Sequence, residues 1–218
     1  MNLTKRLYPI INLKADTGKS KRDVAAEYID PEESEFSWDI NNLAALKFGY
    51  YDKPDLGTPI EDILDEYGKA IKGSFRRDRI DLKWGELDDY DQDEDSFYYR
   101  LIREMELAFK KEGDRYYLQN ISYSGDYRKA KAAYMPSDYY DKLKVGDPKT
   151  GKGGVSYKEV IGDNAVSSLT VSAGEDIETD EVITKMRIRF NSSGSDEYKL
   201  TFVKQADGDF LLAKKGAD

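Results

Sequence analysis

The chain has 218 residues, with 34 basic against 43 acidic side chains for a net charge of −9, a balance that argues against nucleic-acid binding, whose electrostatic footprint is basic. It contains no cysteine and no histidine, which removes thiol chemistry, disulfides, zinc sites of the usual ligand types and histidine-based acid–base catalysis. The length suits one large or two small domains, and no apolar run approaches the roughly 20 residues that a membrane-spanning helix needs.

Residues 1–36 read as a lead-in or docking arm. The apolar run from Leu7 to Leu13 is broken by Pro9 and Asn12 and lacks a small-residue cleavage site, so it reads as an edge strand or arm rather than a signal peptide. In the polar stretch that follows, Val24, Ala25 and Tyr28 share one face of a short helical piece. Residues 15–20, Ala-Asp-Thr-Gly-Lys-Ser, contain both a Gly-Lys-Ser and an Asp-Thr-Gly. A phosphate-binding loop needs glycine where Leu13 stands, and an aspartic protease needs a second such aspartate.

From Ser37 the pattern changes, and residues 37–123 form a first repeat. Ser37 is placed to cap a helix carrying Ile40, Leu43, Ala44 and Leu46, ended by Gly49. After a loop containing Pro54 and Gly57, Thr58-Pro59-Ile60-Glu61 has the form of a capping box with proline at the first helical position. That helix should bury Ile60, Ile63, Leu64 and Tyr67. Ile80, Leu82 and Trp84 then alternate with Arg79, Asp81 and Lys83, the period-two signature of a sheet with one wet face.

The acidic stretch 86–95 places Asp89, Asp91, Asp93 and Asp95 at alternate positions. A calcium loop counted from Asp89 requires glycine where Glu94 stands and glutamate where Arg100 stands. The stretch therefore reads as a solvated loop, or as an acidic patch that steers a basic partner. Residues 97–109 continue the alternation, with Phe97, Tyr99, Leu101, Met105, Leu107 and Phe109 facing inward. Tyr98, Arg100, Ile102, Glu104 and Glu106 face the other way. The turn Glu112-Gly113-Asp114 reverses the chain into 116–123.

Residues 124–136 read as a connector, with a short helix over 127–134 stopped before Pro136. Residues 137–218 repeat the plan. Ser137 begins a helix with Tyr140 and Leu143 inward, a glycine-rich loop follows Gly146, and Ser156-Tyr157-Lys158-Glu159 is a second capping box. Strands carry Leu169 to Val171, then Val182, Met186, Ile188 and Phe190, then Leu200 and Phe202, then Phe210 and Leu212, with Asp207-Gly208 turning the last hairpin. Leu46, Lys47, Gly49, Gly57, Asp62 and Ile63 correspond to Leu143, Lys144, Gly146, Gly154, Glu159 and Val160 at a constant spacing of 97 positions. Among the strands the spacing falls to 93, as from Phe109 to Phe202. The expected class is α+β, with two tandem repeats, each a helix–loop–helix unit on an antiparallel sheet of about four strands.

The run from Leu143 to Val160, the strands behind it and the closing Phe202-Val203-Lys204 and Asp207-Gly208-Asp209-Phe210 resemble the repeat of β-lactamase-inhibitor-protein-like domains. They are similar in particular to those of inhibitor-like secreted lipoproteins of Gram-positive bacteria. The resemblance covers roughly residues 37–216, and implies tandem repeats, a concave sheet surface and an extracytoplasmic or cell-surface location. The inhibitor's disulfides have no counterpart, so β-lactamase inhibition is not carried over.

The expected function is a non-enzymatic protein-binding domain holding a protein partner on the open sheet face. No cofactor or metal is expected. The candidate partner-binding residues are Tyr98, Arg100, Ile102 and Glu104 in the first half and Lys185, Arg187 and Arg189, beside Ile183, in the second, because aromatics and arginine concentrate in interfaces. The same tyrosines also suit a half-wet sheet with no partner. An immunity protein neutralising a basic toxin, an envelope lipoprotein with a structural or assembly role, and an enzyme using an unseen carboxylate pair are the alternatives.

Overall fold

A computed structural model describes residues 21–31, 34, 40–87, 101–125, 134–161, 166–176, 178–191 and 197–217. Eight strands form one antiparallel sheet in the order β1 to β8. They are β1 (Lys72–Phe75), β2 (Arg79–Leu87), β3 (Leu101–Glu112), β4 (Arg115–Ser124), β5 (Val166–Glu175), β6 (Val182–Asn191), β7 (Glu197–Lys204) and β8 (Phe210–Ala217). The helices are short: α1 (Lys21–Tyr28), α2 (Ile40–Ala45), α3 (Ile60–Tyr67), α4 (Ser137–Lys142) and α5 (Tyr157–Ile161).

This corrects the expected fold class. The strands do not divide into two four-stranded sheets, each under its own helix–loop–helix unit, because β4 pairs with β5 through Asn120–Ser172, Ile121–Val171, Ser122–Thr170, Tyr123–Leu169 and Ser124–Ser168. Mostly strand, the molecule is a meander of eight, and its helices of 5 to 8 residues are minor elements laid on it. The physical reason is that alternation assigns each side chain to a face but does not choose the neighbouring strand. Ile121 and Val171 are both fully buried, and pairing them removes two hydrophobic edges that would otherwise face water.

All the described helices pack on one side of the sheet. Leu43 and Ala44 of α2, Ile60, Ile63 and Tyr67 of α3, Tyr140 of α4, and Tyr157 and Val160 of α5 join a single buried cluster. It includes Ile80, Leu82, Trp84, Met105, Leu107, Phe109, Met186, Ile188, Phe190, Leu200, Phe202, Phe210 and Leu212 from the strands. Ala25 of α1 joins it too, and Ile29 bridges Ala70 beside β1. Among the described residues of the inward set read from the sequence, Leu46 and Leu64 are half-buried and Val182 is exposed, at 41% near the strand's end. The first 20 residues, residues 127–133 of the expected connector helix and the acidic stretch beyond Leu87 lie outside the described residues, and Tyr134 is exposed and not helical.

The recurring glycines frame two equivalent loop corners. Gly49 donates its N–H to Leu118 O, as Gly146 does to Leu212 O; Thr58 N bonds Lys47 O, as Val155 N bonds Lys144 O; Leu118 N bonds Thr58 O, as Leu212 N bonds Val155 O. Each corner therefore adds hydrogen bonds to the outward edge of β4 or β8. Both strands also carry a bulge: Ala108 pairs with Asn120 and Phe109 with Leu118, leaving Gln119 extra, and Thr201 pairs with Lys214 and Phe202 with Leu212, leaving Ala213 extra.

Of the expected caps among the described residues, the one at Ser156 forms and those at Thr58 and Ser137 do not. Ser156 Oγ accepts the Lys158 N–H and donates to Asp209 Oδ1. Thr58 Oγ1 instead turns back to Lys47, accepting its N–H at 3.0 Å, and α3 starts behind Pro59 with no side-chain cap. In α4, Pro136 occupies the cap position and Ser137 is already helical.

Candidate functional site

The sheet face away from the helices is the candidate site, and strand register builds it as three rows. One row crosses from Lys72 through Lys83, Glu106, Ser122, Thr170 and Arg187 to Thr201 and Lys214. On one side of it run Gly85, Glu104, Ser124, Ser168, Arg189, Lys199 and Gly216; on the other, Asp81, Ala108, Asn120, Ser172, Lys185 and Val203. The centre is thus made of small hydroxyl and amide side chains, and the charges stand toward the two ends.

The first half neutralises itself. Lys83 Nζ lies 2.5 Å from Glu104 Oε1 and 2.9 Å from Glu106 Oε2. Burial pulls the Lys83 ammonium down, but its bonds to the two carboxylates outweigh this and raise its pKa above the ordinary lysine value. Burial lowers the neighbouring Lys72, helped by the charge of Lys83 and opposed by that of Glu104. Asp81 is buried, accepting from Arg79 Nε at 2.7 Å and from Ser74 Oγ at 3.2 Å.

The second half is basic. Arg187, Arg189, Lys199 and Lys214, with Thr201 and Gly216, line an open recess of about 290 Å³ on β6, β7 and β8. Among the described residues its lining contains no carboxylate; Glu197 stands beside it, 3.3 Å from Arg189 Nη1. Arg187, Arg189 and Lys214 are exposed.

Loops close one end of the sheet. Tyr50 donates its hydroxyl to Glu175 Oε1 at 3.1 Å, Lys53 Nζ lies 3.8 Å from the same oxygen, and Lys149 pairs with Glu178, so both glycine corners hold the β5–β6 hairpin. In the second corner, Asp147 Oδ1 accepts from the backbone N–H of Thr150 and Lys149 and from Thr150 Oγ1. The bonds from Thr150 lead in holding its pKa below the ordinary aspartate value. The glycine-rich order there serves a turn locked by one carboxylate.

Of the residues expected to bind a partner, Glu104, Lys185, Arg187 and Arg189 lie on this face, the last two together in the recess. Ile183 lies at the loop end of β6, paired with Gly174. Ile102 is in β3, its side chain outside the described residues, and Tyr98 and Arg100 lie wholly outside them. Sequence reasoning missed Lys199 and Lys214. Lys199 carried a signal, alternating with the inward Leu200, whereas Lys214 sits two positions after Leu212 and reaches the opposite face only through the Ala213 bulge.

Among the described residues no group of three or more acidic side chains is placed to hold a metal ion. Glu104 and Glu106 are tied to Lys83 rather than facing each other across a cleft. Nor, among the described residues, is any helix long and apolar enough to cross a membrane. No family model, no curated protein and no solved structure matches the chain.

Proposed function

We propose that the protein is a non-enzymatic, extracytoplasmic protein-binding domain that receives a protein partner on the sheet face away from the helices. The observation that carries this reading is the extent of that face. One of its rows crosses all eight strands, and every described helix is packed on the other side. Seven interstrand spacings of about 4.8 Å make it roughly 34 Å wide, enough for a standard interface of about 800 Å² per partner. Its surface chemistry supports the reading: arginines that can form paired hydrogen bonds stand at one end, and short hydroxyl side chains, which cost little entropy to immobilise, fill the centre. Neutralisation of a basic toxin gains nothing from a face whose second half is itself basic.

Co-purification from native extract tests the proposal. Ser122→Trp plus Thr170→Trp places bulk at the centre of the face, and Glu66→Arg alters the exposed side of α3. A stoichiometric protein partner should be retained by the wild type and by Glu66→Arg and lost from the double tryptophan variant. Retention by the double variant, or loss from Glu66→Arg alone, refutes the assignment of this face.

A further inference from the structure

Resting on the protein-binding reading above, we propose that the basic recess of β6–β8 docks an extended acidic segment of the partner, taking Asp or Glu carboxylates from alternate positions. The register supplies a grid. Arg187, Thr201 and Lys214 form one cross-strand row, and Arg189, Lys199 and Gly216 form the next. Rows two residues apart are separated by about 6.6 Å along the strands, the same distance that separates side chains i and i+2 of an extended peptide. Carboxylates at alternate positions of such a peptide therefore meet successive rows.

Arginine gives each row a fork able to hold a carboxylate through two parallel hydrogen bonds, and lysine adds a point charge beside it. Gly216 keeps the second row open: a Cβ there would meet nothing within 4 Å, so the place a side chain would fill is left to the ligand. The charge pattern selects the partner class. In the first half of the face the carboxylates Glu104, Glu106 and Asp81 stand among the cations, whereas the described lining of the recess carries four cations, with Glu197 beside Arg189 at its margin.

A polyphosphate chain fits less well. Its charge is continuous, and beyond a patch of two rows it would run onto a molecule of net charge −9. A short acidic segment places its charge within the patch and leaves the rest of its length neutral.

The test uses the full chain and a fluorescein-labelled ten-residue peptide alternating Glu and Thr, read by fluorescence anisotropy. Binding should weaken as salt rises from about 0.05 to about 0.3 M. It should fall about tenfold or more in Arg187→Ala plus Lys214→Ala and stay unchanged in Lys158→Ala, which removes a cation on the helix side. Gly216→Leu keeps every cation but fills the recess, and it should weaken binding comparably while circular dichroism reports a folded sheet. Absence of binding, wild-type affinity in either the double alanine or the Gly216→Leu variant, or tighter binding of a ten-nucleotide thymidine strand overturns the proposal. The two readings fail separately. Peptide binding needs no native partner, and a partner lost on Ser122→Trp plus Thr170→Trp while the peptide fails to bind sinks only the acidic-segment assignment.

Discussion

At Gly57 and Gly154 a Cβ would stand 2.1 Å from the carbonyl oxygens of Leu118 and Leu212 respectively. The backbone of Gly57 is extended, with φ −77° and ψ 160°, so any residue could adopt its torsions and only the close approach demands glycine. Gly113 presents the opposite case: φ is +59° and nothing lies within 4 Å of a Cβ. Gly57→Ala and Gly154→Ala should each lower the unfolding free energy by about 3 kcal/mol, near the upper end of ordinary point mutants. Gly113→Ala should cost about 1 kcal/mol, the price of a left-handed residue. Urea denaturation of the three variants measures this. Equal losses at all three sites would mean that the corners are not packed against β4 and β8 as described.

At the scale of elements, the bulge on β4 shows what the sequence reveals and what it conceals. The amide Nε2 of Gln119, the extra residue, donates toward Pro54 O, Tyr117 O and Leu118 O, and thereby ties the bulge to the first glycine corner. Ala213, at the matching bulge of β8, has no such amide. Gln119→Ala should therefore loosen the first corner alone and cost about 1 kcal/mol, with faster hydrogen exchange at the Gly49 and Thr58 amides and none of it at Gly146 and Val155. Faster exchange at both corners would contradict that local role. The strands themselves were legible, because Ile80-x-Leu82-x-Trp84 and Met186-x-Ile188-x-Phe190 bury alternate residues and period two states this directly. The bulges were not, since one inserted residue resets the alternation without a mark of its own in the sequence, and Lys214 was missed for that reason. Thr58 misled in a different way: its hydroxyl had two competing backbone partners, and the tertiary one, Lys47, won over the helix end. On the functional face, the parity of Lys185, Arg187 and Arg189 could be read along one strand. Their meeting with Lys199 and Lys214 depends on strand pairing, which alternation does not encode.

At the scale of the whole molecule, the decisive contacts are those that cross between the halves. The β4–β5 seam buries Ile121 against Val171. Lys204, on β7, donates its ammonium to Ala44 O and Leu46 O at the end of α2, and Tyr157 of α5 donates its hydroxyl to Asn41 Oδ1 in the same helix. Helix α2 is thus held by elements more than a hundred residues away, and opening either half would strip partners from the other. Burial lowers the Lys204 pKa, so this ammonium is partly desolvated and its two carbonyl partners matter more than they would at the surface. One cooperative unfolding transition follows. In a Trp38→Phe background Trp84, fully buried on β2, is the single remaining tryptophan and reports the first half, while far-UV circular dichroism reports all eight strands. The two urea curves should coincide, and Lys204→Ala should shift both to lower urea together by about 1–3 kcal/mol. Two separated midpoints, or a shift in the circular dichroism curve that leaves Trp84 fluorescence in place, would show two independent sheets instead of one.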